Sequence, residues 1–352
     1  MIPKTSSTTS KTILLNSCGA MGAPLGALLV HAGHRVLTPA AGRSRATLDR
    51  ASQYGIIAVP KTLPELLVSQ QADEIDIFLS VLAPSDALPL AKQVASAMAA
   101  RTTAGSLSKR RTYIDLNAVS PSTASEIDAA LTGNNERGAA DFTYLDGSII
   151  GATPRWTTHT RETLSFCPTI YLSHSASSSA HHPEAIDELT QLLASAQWKV
   201  RSVHDARVGS AKALKLCYTA IAKGLMGLAS TAFLTASSFS PSTARALATE
   251  LMESQRGSMD FLNANWRHVV PKSARFVGEM QEVRTLMSQQ SAATDGSGAG
   301  FAEMADLFSA FAEVYRSIDE AEKRAKASRQ AGQEATLVSE RMLEFERLAR
   351  HG

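Results

Sequence analysis

Apolar and polar positions in the first part of the chain alternate in short blocks. Ile13–Leu15 is an apolar run typical of a strand that is buried on both faces. Asn16–Gly22 places two glycines in a turn, Ala23–Ala32 has helical spacing, and His34–Thr38 is a second strand-like run. A strand, a glycine turn, a helix and a strand within about thirty residues are typical of the opening unit of a dinucleotide-binding fold.

The alternation of strands and helices continues to about residue 203, after which the pattern is almost entirely helical. Further strands are predicted at Ile56–Val59, Ile75–Leu82, Tyr113–Leu116, Thr143–Asp146, Thr169–Ser173 and Trp198–Val203. Further helices are predicted from Leu63, at Ala87–Ala99, from Ser122, and at Glu184–Ser195, Ala206–Ser237, Ser242–Leu251, Met259–Trp266, Ala274–Ser288 and Phe301–Ala331, with a flexible loop at Gln289–Gly300. The predicted class is α/β: an N-terminal Rossmann, doubly wound parallel sheet followed by an all-α C-terminal domain.

Four segments are predicted along the chain. Residues 1–11 form a disordered tail without the features of a signal peptide, and residues 12–204 form an NAD(P)-binding Rossmann domain. Residues 205–325 form a helical substrate and dimerisation domain, and residues 326–352 form a charged helical tail. In that tail Val338, Met342, Phe345 and Leu348 are spaced for one helix face, which indicates a packing or subunit contact.

The glycine turn is an incomplete form of the G-x-G-x-x-G pattern. Ser17 stands at the position of the first glycine, Gly19 where the backbone approaches the pyrophosphate, and Gly22 where helix and strand pack. We expect the turn to hold phosphate on the amides of the following helix, the alternative being a purely structural strand–turn–helix unit. The predicted cofactor-binding residues are Ser17, Cys18, Gly19, Ala20, Met21 and Gly22 in the turn, Arg43, Ser44 and Arg45 after the second strand, and Val81, Leu82 and Ala83 at the end of the strand Ile75–Leu82.

The segment after the second strand distinguishes the two nicotinamide cofactors. Pro39–Arg45 contains no acidic residue to bind a ribose 2′-hydroxyl, and Asp49 lies well into the next helix. An arginine here can instead pair with a 2′-phosphate. We therefore predict NADP rather than NAD, the alternative being that Arg43 and Arg45 are solvated surface residues.

Composition excludes several other classes of protein. The 352 residues are 44% hydrophobic and 19% charged, enough for two domains, and the formal net charge of +2 offers no strong field to nucleic acid or a membrane surface. No apolar run is expected to reach the length of a membrane span. The scattered Cys18, Cys167 and Cys217 suit a reducing cytosol and argue against a disulfide framework or a zinc site. We predict a cytoplasmic protein without a metal, in which His181 and His182 are solvated loop residues.

One lysine in the long helix has an unusual environment. Lys215 lies in an otherwise apolar turn of the segment Gly209–Thr219. Such a lysine either extends its ammonium group to the surface or is retained for its proton. Desolvation lowers the pKa of a lysine, as a group that transfers protons near neutral pH requires.

Taken together, these motifs resemble the β-hydroxyacid dehydrogenase superfamily, which includes 6-phosphogluconate and 3-hydroxyisobutyrate dehydrogenases. The resemblance covers most of residues 13–320. The motifs that carry it are Gly19–Gly22, Arg43-Ser44, the first substrate loop at Asp115–Pro121, the second substrate loop at Asp146–Ala152, the catalytic G-x-G/A-x-x-x-K at Gly209–Lys215, and Ala274–Val283 in the phosphogluconate-dehydrogenase-like helical domain.

The resemblance implies hydride transfer between a substrate carbon and nicotinamide C4, with Lys215 as the general acid and base. Three departures affect the substrate side: Asn117-Ala118 replaces a serine and a threonine, Ile150 replaces a serine, and Thr219 replaces an asparagine. Each removes or changes a polar contact to an acid, so a larger or less acidic alcohol or carbonyl is expected. The predicted substrate residues are Asn117, Ser120, Ile150, Gly151, Tyr218 and Thr219.

Two alternatives remain open at this point. The segment Asp146–Ile150 also resembles the Asp-Gly-x-Ile-Met segment of imine reductases, which usually have an aspartate or tyrosine in place of the lysine. The serine at position 17 and the missing polar groups would also suit a decayed, nucleotide-sensing protein. Lys223 could meet an anion or form a salt bridge, and Arg275, Glu279 and Glu282 are expected to pair on one helix, with a role in the substrate pocket as the alternative. The resemblance also implies a homodimer through the helical domain, acting on a small-molecule substrate.

Overall fold

The computed structural model describes residues 10–103, 110–132, 142–157, 163–174, 183–203, 207–293, 299–334, 338–340 and 347. The chain divides into two compact units, Met1–Lys215 and Leu216–Gly352. Their boundary falls inside a helix, directly after Lys215. The segment limits predicted at residues 204 and 325 stay predictions, and the second of them lies within the last long helix.

The first unit is built on an eight-stranded sheet in the order β10-β9-β6-β5-β4-β1-β2-β3. Its strands are β1 Thr12–Asn16, β2 Arg35–Pro39, β3 Ile57–Val59, β4 Ile77–Ser80, β5 Arg111–Asp115, β6 Phe142–Ile150, β9 Thr169–Ser173 and β10 Lys199–Ser202, and a separate hairpin consists of β7 Arg155–Trp156 and β8 Leu164–Phe166. All neighbours in the large sheet are parallel except β6 and β9. The predicted α/β class with a mostly parallel sheet is confirmed.

Helices connect the parallel strands. They are α1 Gly22–His31, α2 Arg45–Gln53, α3 Leu63–Val68, α4 Pro84–Thr103, α5 Pro121–Thr132 and α6 Pro183–Ser195. The first of them packs closely on the sheet because Gly26 has no side chain: a Cβ atom there would lie 2.9 Å from Leu15 Cδ2. Ile13, Leu15 and Leu25 are almost completely buried at this contact.

The strand order reverses beside β1, since β2 and β3 lie on one side of it and β4 and β5 on the other. In open α/β sheets ligands bind at the carboxyl ends of the strands, at such a switch point. This places the candidate site beyond Asn16, Pro39 and Ser80, the last residues of β1, β2 and β4.

The second predicted substrate loop is in large part a strand. Asp146–Ala152 was expected to follow a strand ending at Asp146, but β6 continues to Ile150. Its last five residues pair antiparallel with Thr169–Ser173, and this pairing satisfies the backbone of a segment whose glycines suggest a loop. Gly147 fits there because a Cβ atom would lie 2.5 Å from Leu116 Cδ2.

The second unit is helical. The long helix α7, Ser210–Phe239, runs into it and is followed by α8 Pro241–Ser254, α9 Arg256–Asn265, α10 Val269–Ala293 and α11 Ala299–Gln330. Its core contains edge-to-face pairs of Phe233 with Trp266 and of Phe276 with Tyr315. The loop predicted at Gln289–Gly300 is shorter than expected, because α10 continues to Ala293 and α11 begins at Ala299.

The helix α7 contains a longer apolar stretch than the composition led us to expect. By length and composition it could cross a membrane, contrary to the expectation that no such run exists, but core helices of soluble proteins can be equally long and apolar. Half of its most apolar stretch is buried inside the protein. In the tail, Val338 packs against the helical core, whereas Met342, Phe345 and Leu348 lie outside the described residues, as do His181 and His182.

Candidate functional site

The turn after β1 has the backbone shape that a glycine would favour. Ser17 has a φ of +93°, in the region that L-residues rarely adopt, at the position of the missing first glycine. Gly22 faces the turn so closely that a Cβ atom would lie 2.4 Å from the Ser17 carbonyl oxygen. The helix α1 begins there with no side-chain cap at Met21 and no acidic residue in its first turn. Its amino end is therefore suited to an anionic group.

An arginine that the sequence analysis missed holds this turn in place. The Arg50 Nε group donates a hydrogen bond to the Cys18 carbonyl oxygen at 3.0 Å and so connects α2 to the turn. Cys18 is fully buried, and burial raises the pKa of its thiol. A hydrogen bond with Thr38 and the charge of Arg50 lower this pKa, but by less. The spacing of Thr47, Arg50 and Ala51 on one face of α2 is the signal that could have identified the inward-facing arginine.

A cavity of about 660 Å³ opens beside the turn. It is lined by Asn16, Pro39, Ala41, Gly42, Arg43, Thr62, Leu63, Pro64, Leu82, Asp86, Pro89, Leu90 and Gln93. Among the predicted cofactor residues, Arg43 and Leu82 are part of this wall. Asn16 is nearly buried, and its Oδ1 atom has no hydrogen-bond partner in the described part of the chain. A buried amide oxygen without a partner is costly, so the cavity favours a ligand that can donate to it.

The other two residues predicted beside Arg43 are occupied differently. The Ser44 hydroxyl caps α2 by accepting from the Thr47 backbone amide. The Arg45 side chain is 89% exposed and pairs with Asp49 at 2.9 Å. Of the three residues, only Arg43 lines the cavity.

The loop after β4 is fastened by Asn117. Val81 lies near the start of α1, where a Cβ atom on Gly22 would meet it at 3.5 Å, and Ala83 is exposed. The Leu82 amide donates to Asn117 Oδ1, and Asn117 Nδ2 donates to Ser80 Oγ at 2.7 Å and to Asp115 Oδ1. Both ends of the Asn117 amide are therefore engaged inside the protein, in contrast to the free donor that the sequence suggested for a substrate.

The remaining predicted substrate residues lie at three places. Ser120 accepts from the Thr123 amide at 3.2 Å, at the start of α5. Ile150 ends β6, and the exposed Gly151 follows it with a φ of +126°. Tyr218 is exposed and Thr219 is buried within the second unit.

A fully buried cluster of charged side chains in the first unit was not predicted. The Lys212 Nζ atom lies 3.1 Å from Asp115 Oδ2 and 3.2 Å from Asp146 Oδ1, and all three side chains have no exposed surface. The same ammonium group donates to the backbone oxygens of Asp115, at 3.0 Å, and Gly147. Asp115 and Asp146 are neighbours because β5 and β6 pair in parallel at this point. We call these three side chains the Lys212 cluster.

Two further contacts attach the start of α7 to β6 and to β9. Asp146 Oδ2 accepts from the Gly209 amide at 2.9 Å and from the Ser173 hydroxyl at 2.7 Å, and the Ser173 hydroxyl accepts from the Ala211 amide at 3.0 Å. Gly209 has a φ of +89° and packs on Pro121, so no other residue fits there without strain. Burial, followed by the charges of Asp115 and Asp146, raises the pKa of Tyr144 on β6 well above its ordinary value.

Lys215 follows Lys212 by three residues and is half-buried. In the second unit, Lys223 forms a salt bridge with Glu279 at 3.0 Å, and Arg275 pairs with the same carboxylate at 2.8 Å. Burial raises the pKa of Glu282 on the same helix. For Lys223, Arg275 and Glu279, the structure shows the ion-pairing alternative.

Within the described residues, no three His, Cys, Asp or Glu side chains are grouped to hold a metal ion. Cys18 is buried, Cys167 is half-buried and Cys217 is exposed, and none of the three is in a disulfide.

Comparison with known proteins finds one matching domain family and several solved structures with a similar fold. Residues 240–318 match a domain of unknown function, DUF1932. No curated protein matches the sequence. A conserved hypothetical protein from Sinorhizobium meliloti 1021 has a similar structure, with a TM-score of 0.61, 17% identity and 97% of both chains covered.

Two further solved structures have related folds. The 3-hydroxyisobutyrate dehydrogenase from Salmonella typhimurium has a TM-score of 0.53 and 16% identity, covering 87% of this chain and 99% of that chain. Psf3, solved in complex with NADP+ and 2-OPP, has a TM-score of 0.50 and 16% identity, covering 95% of this chain and 99% of that chain. The resemblance to β-hydroxyacid dehydrogenases is thereby confirmed at the level of the fold.

Proposed function

We propose that the protein is an NADP-dependent oxidoreductase that interconverts an alcohol and a carbonyl by hydride transfer, with Lys215 as the general acid and base. The observation that carries the proposal is the attachment of α7, through Lys212, to the carboxyl end of β5 and to Asp146 in the middle of β6. Residues three apart on a helix are neighbours on its surface. Lys215 therefore lies one helical turn after the residue that attaches α7 to the sheet.

The residues present fit the cofactor. The cavity has the size of a small-molecule site, the amino end of α1 is uncapped, and Asn16 offers a buried acceptor. Arg43 in the cavity wall would hold the 2′-phosphate of NADP, and Pro39–Arg45 has no acid that would favour the 2′-hydroxyl of NAD. The NADP+ complex of Psf3 gives further support. When bound, the nicotinamide supplies or accepts the hydride.

The chain's own contribution to the reaction is the control of one proton. In the oxidation direction, a neutral Lys215 amine accepts the proton of the substrate hydroxyl. In the reduction direction, the Lys215 ammonium returns that proton to the carbonyl oxygen. Ser120, Ile150, Gly151, Tyr218 and Thr219 remain the proposed substrate contacts, and Asn117 acts by holding the Leu82 loop.

The substrate is proposed to be larger or less acidic than a small 3-hydroxy acid. The Asn117 amide is engaged by three groups of the protein, and Ile150 offers no hydrogen bond from its side chain. A carboxylate buried there would lack donors, which is costly. The same observation supports a second candidate function, the reduction of an imine, because a C=N substrate needs no carboxylate-binding groups.

The test is the variant Lys215→Ala. We expect kcat to fall by about 10²–10⁴-fold, the usual contribution of general acid–base catalysis, with the Kd for NADPH unchanged. The matched control is Lys92→Ala, which removes an exposed lysine on α4 and should leave kcat as it is. Turnover is measured on panels of carbonyls and imines, and NADPH and NADH binding by fluorescence titration.

Three results would change the proposal. Near-normal turnover in Lys215→Ala would contradict the lysine mechanism. Activity on imines alone would favour the second candidate. Micromolar NADPH binding with no hydride transfer to any compound would indicate a nucleotide-sensing protein.

We also propose a homodimer through the helical unit. Most of the large apolar side chains that are exposed among the described residues belong to that unit: Tyr218, Ile221, Leu228, Phe239, Met304 and Leu307. Ile221 and Leu228 lie two helical turns apart on α7 with 74% and 59% of their surface exposed, and apolar patches of this kind mark interaction sites.

Light scattering at micromolar concentration should show a dimer, and Ile221→Asp with Leu228→Asp should give a monomer. The control is Val68→Asp, at an equally exposed apolar position of the first unit, which should leave the dimer intact. A monomer in the unmodified protein would contradict this proposal.

A further inference from the structure

We infer that Lys212 is a positioning residue, which fixes the first turn of α7 against β5 and β6 and thereby sets the location of Lys215. This inference rests on the proposed function, because Lys215 is the residue that would move the proton. The sequence motif specifies the lysine at position 215 and leaves position 212 open. The inference assigns a role to the residue at that open position.

Lys212 is not available for the reaction itself. Its side chain has no exposed surface, and its ammonium group faces four oxygen atoms of Asp115, Asp146 and Gly147. A group so enclosed does not reach a substrate, so its effect has to pass through the backbone that carries it.

The physical benefit of such a cluster is a defined position. Taking three charges out of water is costly, and well-packed apolar residues of similar volume are often as stable as buried ion pairs. An ammonium held between two carboxylates and two carbonyl oxygens, however, has one satisfactory location. An apolar side chain on the same turn would tolerate sliding of the helix along the sheet.

The cluster also reaches the loop after β4. Asp115 Oδ2 faces Lys212, while Asp115 Oδ1 accepts from the backbone amide of Asn117 at 3.0 Å and from its side chain. Asn117 in turn accepts from the Leu82 amide. One frame of hydrogen bonds therefore locates both the loop proposed to contact the cofactor and the helix turn that precedes Lys215.

The experiment compares Lys212→Met and Lys212→Arg with the unmodified protein. Lys212→Arg keeps a cation between the carboxylates and guards against loss of folding, but its longer planar group cannot reproduce the four contacts. We expect kcat to fall by about 10²-fold in Lys212→Met, the cost of a displacement near 1 Å, and by at least about tenfold in Lys212→Arg. The Kd for NADPH should stay within about threefold.

The matched control is Arg101→Met. Arg101 pairs with Asp73 at 2.5 Å and donates to the Val68 carbonyl oxygen within the same unit. Its loss should lower the thermal midpoint without changing kcat at a temperature where the protein is fully folded. If Lys212→Arg is folded and turns over like the unmodified protein, the inference is wrong.

Hydrogen–deuterium exchange separates this inference from the proposed function. Amides of residues 210–216 should exchange faster in both Lys212 variants and at the unmodified rate in Arg101→Met. This readout needs no substrate, so a protein without oxidoreductase activity would overturn the proposed function only. Unchanged exchange in this segment would overturn the positioning role whatever the activity.

Discussion

The two halves of the sheet's carboxyl edge differ in whether the amide of Asn16 and the carboxylates of Asp115 and Asp146 have bonding partners in the protein. Beyond β1, β2 and β4, Asn16 Oδ1 is buried without a partner, α1 begins uncapped, and Arg43 lines a cavity of about 660 Å³. At the end of β5 and beside it in β6, Asp115 and Asp146 are bonded to Lys212, Asn117, Ser173 and the start of α7.

The difference separates two tasks along one edge. An unsatisfied buried group costs free energy until a ligand binds it, so the first half is suited to exchange with a ligand. In the second half, the carboxylates of Asp115 and Asp146 obtain their partners on folding. We therefore expect substitutions in the first half to change cofactor affinity, and substitutions in the second half to change stability and, through Lys212, turnover, with cofactor affinity retained.

The largest expected effect is in the second half. Asp146→Ala removes one carboxylate of the Lys212 cluster and leaves the Ser173 hydroxyl and the Gly209 amide without their acceptor. We expect a loss of about 3–5 kcal/mol in the free energy of unfolding, with the Kd of the folded protein for NADPH within about threefold of normal. The control Asp49→Ala, which breaks an exposed ion pair, should cost less than about 1 kcal/mol. A folded Asp146→Ala protein with tenfold weaker NADPH binding would remove the distinction between the halves.

An intermediate effect is expected in the first half. Arg43→Ala should weaken NADPH binding by about 1.5–3 kcal/mol, the contribution of hydrogen bonds to charged groups, and leave NADH binding and the thermal midpoint unchanged. Arg45→Ala is the control, because that side chain is exposed and paired with Asp49. Fluorescence titration measures both affinities. Equal losses in the two variants would mean that the phosphate is held by general positive charge.

The smallest effect concerns the turn between them. Ser17→Gly should raise the free energy of unfolding by about 1 kcal/mol, because a positive φ is strained in serine and relaxed in glycine. The control Ser96→Gly, at an exposed position in the middle of α4, should lower it by about 0.5–1 kcal/mol. Calorimetry measures both. A less stable Ser17→Gly protein would show that the serine side chain contributes more than its backbone costs.

Local sequence patterns were sufficient for the first half of the site. The run Ile13–Leu15, the glycines and the following helix predicted β1, the turn and α1 to within about a residue, because each signal lies within a few neighbouring positions. Arg43 comes shortly after the second strand of the same strand–turn–helix–strand segment, and it lines the cavity. Arg50 was missed because its partner, the Cys18 carbonyl oxygen, lies 32 residues away.

The second half depends on distant partners, and there the sequence was not sufficient. Lys212 and Lys215 lie in the same apolar segment, and only the carbonyl oxygens of Asp115 and Gly147, 97 and 65 residues away, distinguish the buried one. Likewise, the glycines of Asp146–Ala152 suggest a loop, and only the pairing of this segment with β9 makes it a strand. Asn117 was expected to face a substrate, because the sequence does not show that Ser80 and Leu82 engage it first.

The Lys212 cluster also has a consequence for synthesis of the chain on the ribosome. Both carboxylates belong to strands that emerge early, whereas their cation lies only three residues before the end of the first unit. A nascent chain that stops before residue 210 has the whole sheet but no cation to neutralise it. The two carboxylates can therefore pair with Lys212 only after the beginning of α7 has left the exit tunnel.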